Sequence, residues 1–113
     1  MAAIANLLVD QGATFTSTVT VFNTDDTLFN LTDYTVASQL RKSYSSSSAT
    51  DFTAAIDSDP TTGKITLELT ATQTAALEEG RYVYDVEVTS SQTSEVTRVI
   101  QGVVTVSPNV TRA

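Results

Sequence analysis

The amino-acid sequence predicts an all-β sandwich, and three observations predict it. Serine and threonine fill 33 of the 113 positions and valine 13 more, and threonine and valine suit a pleated, half-buried surface. Apolar side chains recur with a period of two in segment after segment. Polar turn clusters separate those segments at roughly 8–12-residue spacing. At 113 residues the chain is one domain, large enough for a core that needs no disulfide or metal staple. Seven or eight antiparallel strands in two sheets are expected.

The opening segment, Ala2-Ala3-Ile4-Ala5-Asn6-Leu7-Leu8, is mostly apolar. Residues 1–8 are therefore expected to form either a first edge strand or an arm that docks on a neighbour, with 9–107 as the sandwich and 108–113 as a tail. Over Ala13–Phe22, Phe15, Val19 and Val21 share one face and Thr14, Thr16, Thr18 and Thr20 the other, the pattern of a half-buried strand. Asn23–Asp26 reads as a turn, Leu28–Leu31 as a short strand, and Tyr34–Arg41 as a longer one with Tyr34, Val36, Ser38 and Leu40 inward. The small inward Ser38 predicts close approach of a neighbour.

Ser43–Thr50 holds five serines and too little apolar bulk to offset its ordering entropy, so it reads as a mobile surface loop. Phe52, Ala54 and Ile56 belong to one strand and Ile65, Leu67 and Leu69 to the next, paired antiparallel across the Ser58–Gly63 turn. Thr70–Leu77 breaks the alternation, and a hydroxyl ahead of helix-tolerant residues predicts one short helical turn near 70–77, ending before Gly80. Arg81–Thr89 is the clearest strand, with Tyr82, Tyr84, Val86 and Val88 inward. Glu95–Val106 is the last, and Gly102 is expected to mark a bulge in it.

Composition removes whole classes of chemistry. With no cysteine, histidine or tryptophan there is no thiolate nucleophile, no imidazole base and no zinc site built from them. Four glycines leave little material for a phosphate-cradling loop, and no G-x-S-x-G is present. Neither enzyme activity nor a cofactor is expected. A net charge of −7 disfavours nucleic acid and anionic membranes as partners, and the apolar runs fall well short of the roughly 18 residues of a membrane helix.

The remaining chemistry-bearing residues have simpler readings. Asp57 and Asp59 offer only the first two ligands of a calcium-type series, so they read as an acidic hairpin, as does Asp25-Asp26 as a turn. Asp57 with Glu68, or Asp85 with Glu87, read as solvated acids rather than the paired carboxylates of a glycosidase. Asn30-Leu31-Thr32 and Asn109-Val110-Thr111 match glycosylation sequons but read as turn and tail chemistry. Phe15, Tyr34, Phe52, Tyr82 and Tyr84 fall on inward faces and are assigned to the core.

Leu77-Glu78-Glu79-Gly80-Arg81-Tyr82-Val83-Tyr84 has the L-x-x-G-x-Y form found at the start of strand F in immunoglobulin-like (Ig-like) sandwiches. There Tyr82 makes a corner hydrogen bond and Tyr84 takes a core position, so Leu77, Gly80, Tyr82 and Tyr84 form the expected structural corner. Over residues 9–112 the chain resembles the small Ig-like virion proteins of tailed phages, and is similar to the N-terminal domain of phage baseplate upper proteins. Gln11-Gly12-Ala13-Thr14-Phe15, Asn30-Leu31-Thr32-Asp33-Tyr34, Gly63-Lys64-Ile65-Thr66-Leu67, Gly80-Arg81-Tyr82-Val83-Tyr84 and Gln101-Gly102-Val103-Val104 carry the resemblance, in family order.

The resemblance implies a non-enzymatic assembly or connector module of a virion tail, baseplate or neck, held by other virion proteins in a symmetric, multi-copy particle. Baseplate upper proteins carry long extensions after this domain, whereas the sequence ends at Ala113, so capsid decoration stands as an alternative. A second alternative is a carbohydrate- or host-surface-binding module using Tyr44 and Ser45–Ser48. Candidate partner-binding residues are Ile4, Leu7 and Leu8 in the apolar segment, Phe22 and Phe29 near strand ends, and Arg41 and Lys42 among the few cations.

Overall fold

The computed structural model describes residues 3–110. Nine strands are present among them: β1 (Ala3–Ile4), β2 (Leu7–Asp10), β3 (Phe15–Thr20), β4 (Tyr34–Arg41), β5 (Thr50–Asp51), β6 (Thr53–Ile56), β7 (Lys64–Leu69), β8 (Gly80–Ser90) and β9 (Val96–Ser107). One sheet runs β1-β9-β8-β4-β5, with β2 also on β9; the other runs β3-β7-β6. The chain is all-β, as the alternation predicts. The expected antiparallel pairing holds except for β1 and β2, which lie parallel to β9.

The inward side chains of both sheets meet as one core. Tyr82, Tyr84, Val86 and Val88 of β8 and Ile100, Val104 and Val106 of β9 pack against Ile65, Leu67 and Leu69 of β7 and Val19 of β3. Burying each such side chain contributes about 1.5–3 kcal/mol. Phe52 links Phe15 and Tyr84, with ring centroids 6.0 and 5.9 Å away. Phe52 is also where the chain changes sheets: β5 pairs with β4, and β6 pairs antiparallel with β7. Its N–H donates to the Ser38 carbonyl at 3.0 Å, and Ser38 Oγ donates to the Asp85 carbonyl at 2.6 Å.

The helical turn forms where the hydroxyl placed it, as α1 (Ala71–Ala75), with Thr70 as a capping box closed by Gln73. Its Thr74 is fully buried and donates to the Ala13 carbonyl at 2.9 Å. A 3-10 turn, Pro60–Thr62, joins β6 to β7.

Two expected elements differ. Leu28–Leu31 forms no strand: Phe29 N–H goes to Val21 and Leu31 N–H to Pro60, so its backbone bonds go to two separate segments, and only a Phe22–Leu28 bridge remains. The bulge in β9 falls at Val99 rather than Gly102. Val86 faces Ile100 while the adjacent Glu87 faces Arg98, leaving Val99 as the extra residue, and Val99 and Ile100 are both buried. Gly102 stays in register opposite Tyr84. It is glycine because a Cβ there would collide with the Ala5 carbonyl oxygen where the first strand crosses it.

Candidate functional site

Residues 3–10, expected as edge strand or docking arm, lie along β9 as a broken strand. The break at Ala5-Asn6 is stitched by three hydrogen bonds. Ala5 N–H donates to Gln101 O at 3.0 Å, Tyr84 OH donates to Ala5 O at 2.6 Å, and Val103 N–H donates to Asn6 Oδ1 at 3.0 Å, a side-chain carbonyl standing in for a ladder acceptor. Val9 is fully buried, whereas Ile4 and Leu8 are 74% and 63% exposed. Met1, Ala2 and Thr111–Ala113, the ends of the expected arm and tail, lie outside the described residues.

The candidate partner-binding residues do not converge on one surface. Ile4 and Leu8 sit on the β1/β2 edge, with Leu7 turned inward against the core. Phe22 lies at the end of the sandwich carrying the Ser90–Val96 turn. Phe29, expected to be exposed, is half-buried at that end with its ring 5.4 Å from Tyr34. Arg41 and Lys42 lie at the opposite end. Arg41 donates to the Ser46 carbonyl at 2.8 Å, and Lys42 Nζ stands 4.7 Å over the Tyr82 ring, so both cations are engaged within the chain.

The corner is built as its motif suggests. Tyr82 OH donates to the Glu78 carbonyl at 3.0 Å, Leu77 is buried, and Gly80 takes φ 126°, a conformation reserved for glycine. Burial pushes the Tyr84 hydroxyl up to about 12.

Three turns explain most of the remaining motifs with one device. In Asp25-Asp26-Thr27, Asn30-Leu31-Thr32 and Asp59-Pro60-Thr61 the first side chain accepts from both the N–H and the hydroxyl of the threonine two positions on, the hydroxyl distance being 2.6 Å each time. Those bonds hold the Asp25 and Asp59 carboxyls below the usual range. Asp57 accepts from Thr62 in the same turn. Asp57 lies at the Lys64 end of β7, four residues along the strand from Glu68, so about 13 Å of strand separates the two positions. Among the described residues no group of three or more acids could hold a metal ion.

The sequence did not reveal two features of the larger sheet. Along its outer face runs a trough of about 300 Å³ lined by Gln39, Arg41, Tyr44, Val83, Asp85, Glu87, Arg98 and Gln101. The strand register creates it: Gln39, Asp85 and Gln101 form one row across β4, β8 and β9, and the short Val83 leaves a dip in the next. A groove beside β4 adjoins it, bounded by the Phe52 crossover.

The two packed sheets, the sheet change at Phe52 and the Tyr82 corner define an Ig-like β-sandwich. No family model and no curated protein matches the sequence. Among solved structures the chain is similar to InlP of Listeria monocytogenes, at 17% identity and TM-score 0.49 over 94% of this chain. It is also similar to the NK cell receptor Nkp44, at 17% and 0.46 over 95%, and to a family 123 glycoside hydrolase from Clostridium perfringens, at 12% and 0.43 over 96%. The chain spans 28% of InlP, 99% of Nkp44 and 24% of the hydrolase. At these values the likenesses assign neither a family nor an activity.

Proposed function

We propose that the chain is a non-enzymatic structural module of a tailed-phage virion, joining other virion proteins in the tail, baseplate or neck. The virion assignment rests on the sequence resemblance over residues 9–112. The joining role rests on one observation, the open flank formed by β3 and the β1/β2 edge.

Among the described residues β3 ends its sheet, runs six residues in unbroken register with β7, and contains no proline. No residue from Gln11 to Thr24 is charged. Monomeric sandwiches blunt such edges with charges, prolines, bulges or short strands, and β3 has none of these devices. Beside it, Ile4 and Leu8 project from the neighbouring edge. Both invite an added strand, which supplies backbone hydrogen bonds along β3 and apolar contact along β1/β2. At the other edge of the same sheet β6 is four residues long against six in β3, and it is joined through Phe52 to the two-residue β5.

Mass spectrometry of purified particles, followed by localisation in a particle reconstruction, tests the reading. The chain is expected in the particle with β3 against a neighbour, and Thr16→Lys with Thr18→Lys, both at exposed positions, is expected to fold yet fail to incorporate. Absence of the polypeptide from particles, or normal incorporation of the double variant, overturns it.

A further inference from the structure

The trough on the outer face of the larger sheet belongs to neither the open flank nor the core, and its side chains are already wired to one another. Arg98 Nε holds Asp85 Oδ2 at 3.3 Å and its Nη1 donates to Gln101 Oε1 at 3.4 Å. On the other wall, Arg41 Nη2 donates to Gln39 Oε1 at 3.1 Å, and Gln39 Nε2 donates to Asp51 Oδ1 at 2.7 Å. These bonds bring planar amide and guanidinium groups together on both walls.

What is left unengaged defines the ligand. Among the described residues the Glu87 carboxylate, the Gln101 amide N–H₂ and the Tyr44 hydroxyl have no hydrogen-bond partner, so the trough's lining offers both acceptors and donors. Two acids and two arginines line the trough, a local balance in a chain of net charge −7, which favours an uncharged ligand over an anion or a cation. Val83 forms an apolar floor, and Tyr44, 85% exposed, offers a ring at the rim. A flat apolar face together with hydroxyls that donate and accept is the chemistry of a hexopyranose, and about 300 Å³ is the small end of ligand clefts.

We propose that this trough binds one or two neutral hexopyranose units of a glycan, stacked on Tyr44 and hydrogen-bonded by Gln101, Glu87 and the arginines. The site is independent of the β3 flank, so it can fail while assembly stands. Saturation-transfer difference NMR on the full chain tests it with lactose, cellobiose and N,N′-diacetylchitobiose, and with sialyllactose as the anionic comparison. Saturable binding to at least one neutral disaccharide is expected, with a Kd on the order of 1 mM. Tyr44→Ala and Gln101→Ala should each weaken it about tenfold or more, while Thr66→Ala on the other sheet leaves it unchanged. No saturable transfer from any neutral disaccharide, binding that survives both trough variants, or preference for sialyllactose overturns the proposal.

Discussion

Replacing Gly102 with alanine sets two effects of opposite sign against each other. Gly102 does not occupy the left-handed region, so an added methyl that met no obstacle would stabilise by about 0.4–1 kcal/mol through the unfolded chain. The obstacle is the Ala5 carbonyl, backbone that cannot turn aside as a flexible side chain can. Relief requires the Ala5-Asn6 link to lift from β9, which breaks its bonds to Gln101, Tyr84 and Val103. Three hydrogen bonds at about 1 kcal/mol each, with the Tyr84 hydroxyl left buried and unpaired, outweigh the gain and leave a net loss of about 2–4 kcal/mol. Urea unfolding should show the midpoint falling by about 1–2 M, and hydrogen exchange should show the Val103 amide losing protection. A variant as stable as the parent or more so, with Val103 still protected, would refute the crossing of Ala5 over Gly102.

Tyr82→Phe should cost about 1 kcal/mol in urea unfolding by removing the bond to Glu78, and no change would mean that the corner contributes nothing. Thr74→Val keeps shape but leaves the Ala13 carbonyl without its hydroxyl donor; a loss of about 1–3 kcal/mol is expected by thermal unfolding. Because burial raises the Tyr84 pKa from 10 to about 12, the neutral hydroxyl's contribution is complete below pH 10 and disappears as pH rises through 12. Stability against pH should therefore drop across that window, and in Tyr84→Phe the part of the drop that this hydroxyl causes should vanish.

Much of the fold was legible because most strands bury one face only. Tyr82, Tyr84, Val86 and Val88 could be assigned inward from alternation alone, and the Thr70 cap located α1. Gly102 misled because a glycine in a strand signals either a bulge or a close backbone approach, and composition cannot choose between them. Leu28–Leu31 misled because its apolar residues serve an irregular segment whose hydrogen bonds go to separate partners. Leu7 was grouped with Leu8, which the alternation sends to the other face, and Phe29 with Phe22, although Phe29 lies in the irregular segment with its ring against Tyr34. The trough was invisible for a related reason: Gln39, Asp85 and Gln101 are far apart in sequence, and only the pairing of three strands puts them in a row.

The parallel course of the first and last strands has a mechanical consequence. Chain entering at Ala3 and chain leaving after Ser107 run the same way along one seam. Tension applied through the two termini would drag these strands past each other lengthwise, loading every rung of the seam at once instead of peeling them singly. A part so laced resists being pulled open, a useful trait in any tether between larger bodies.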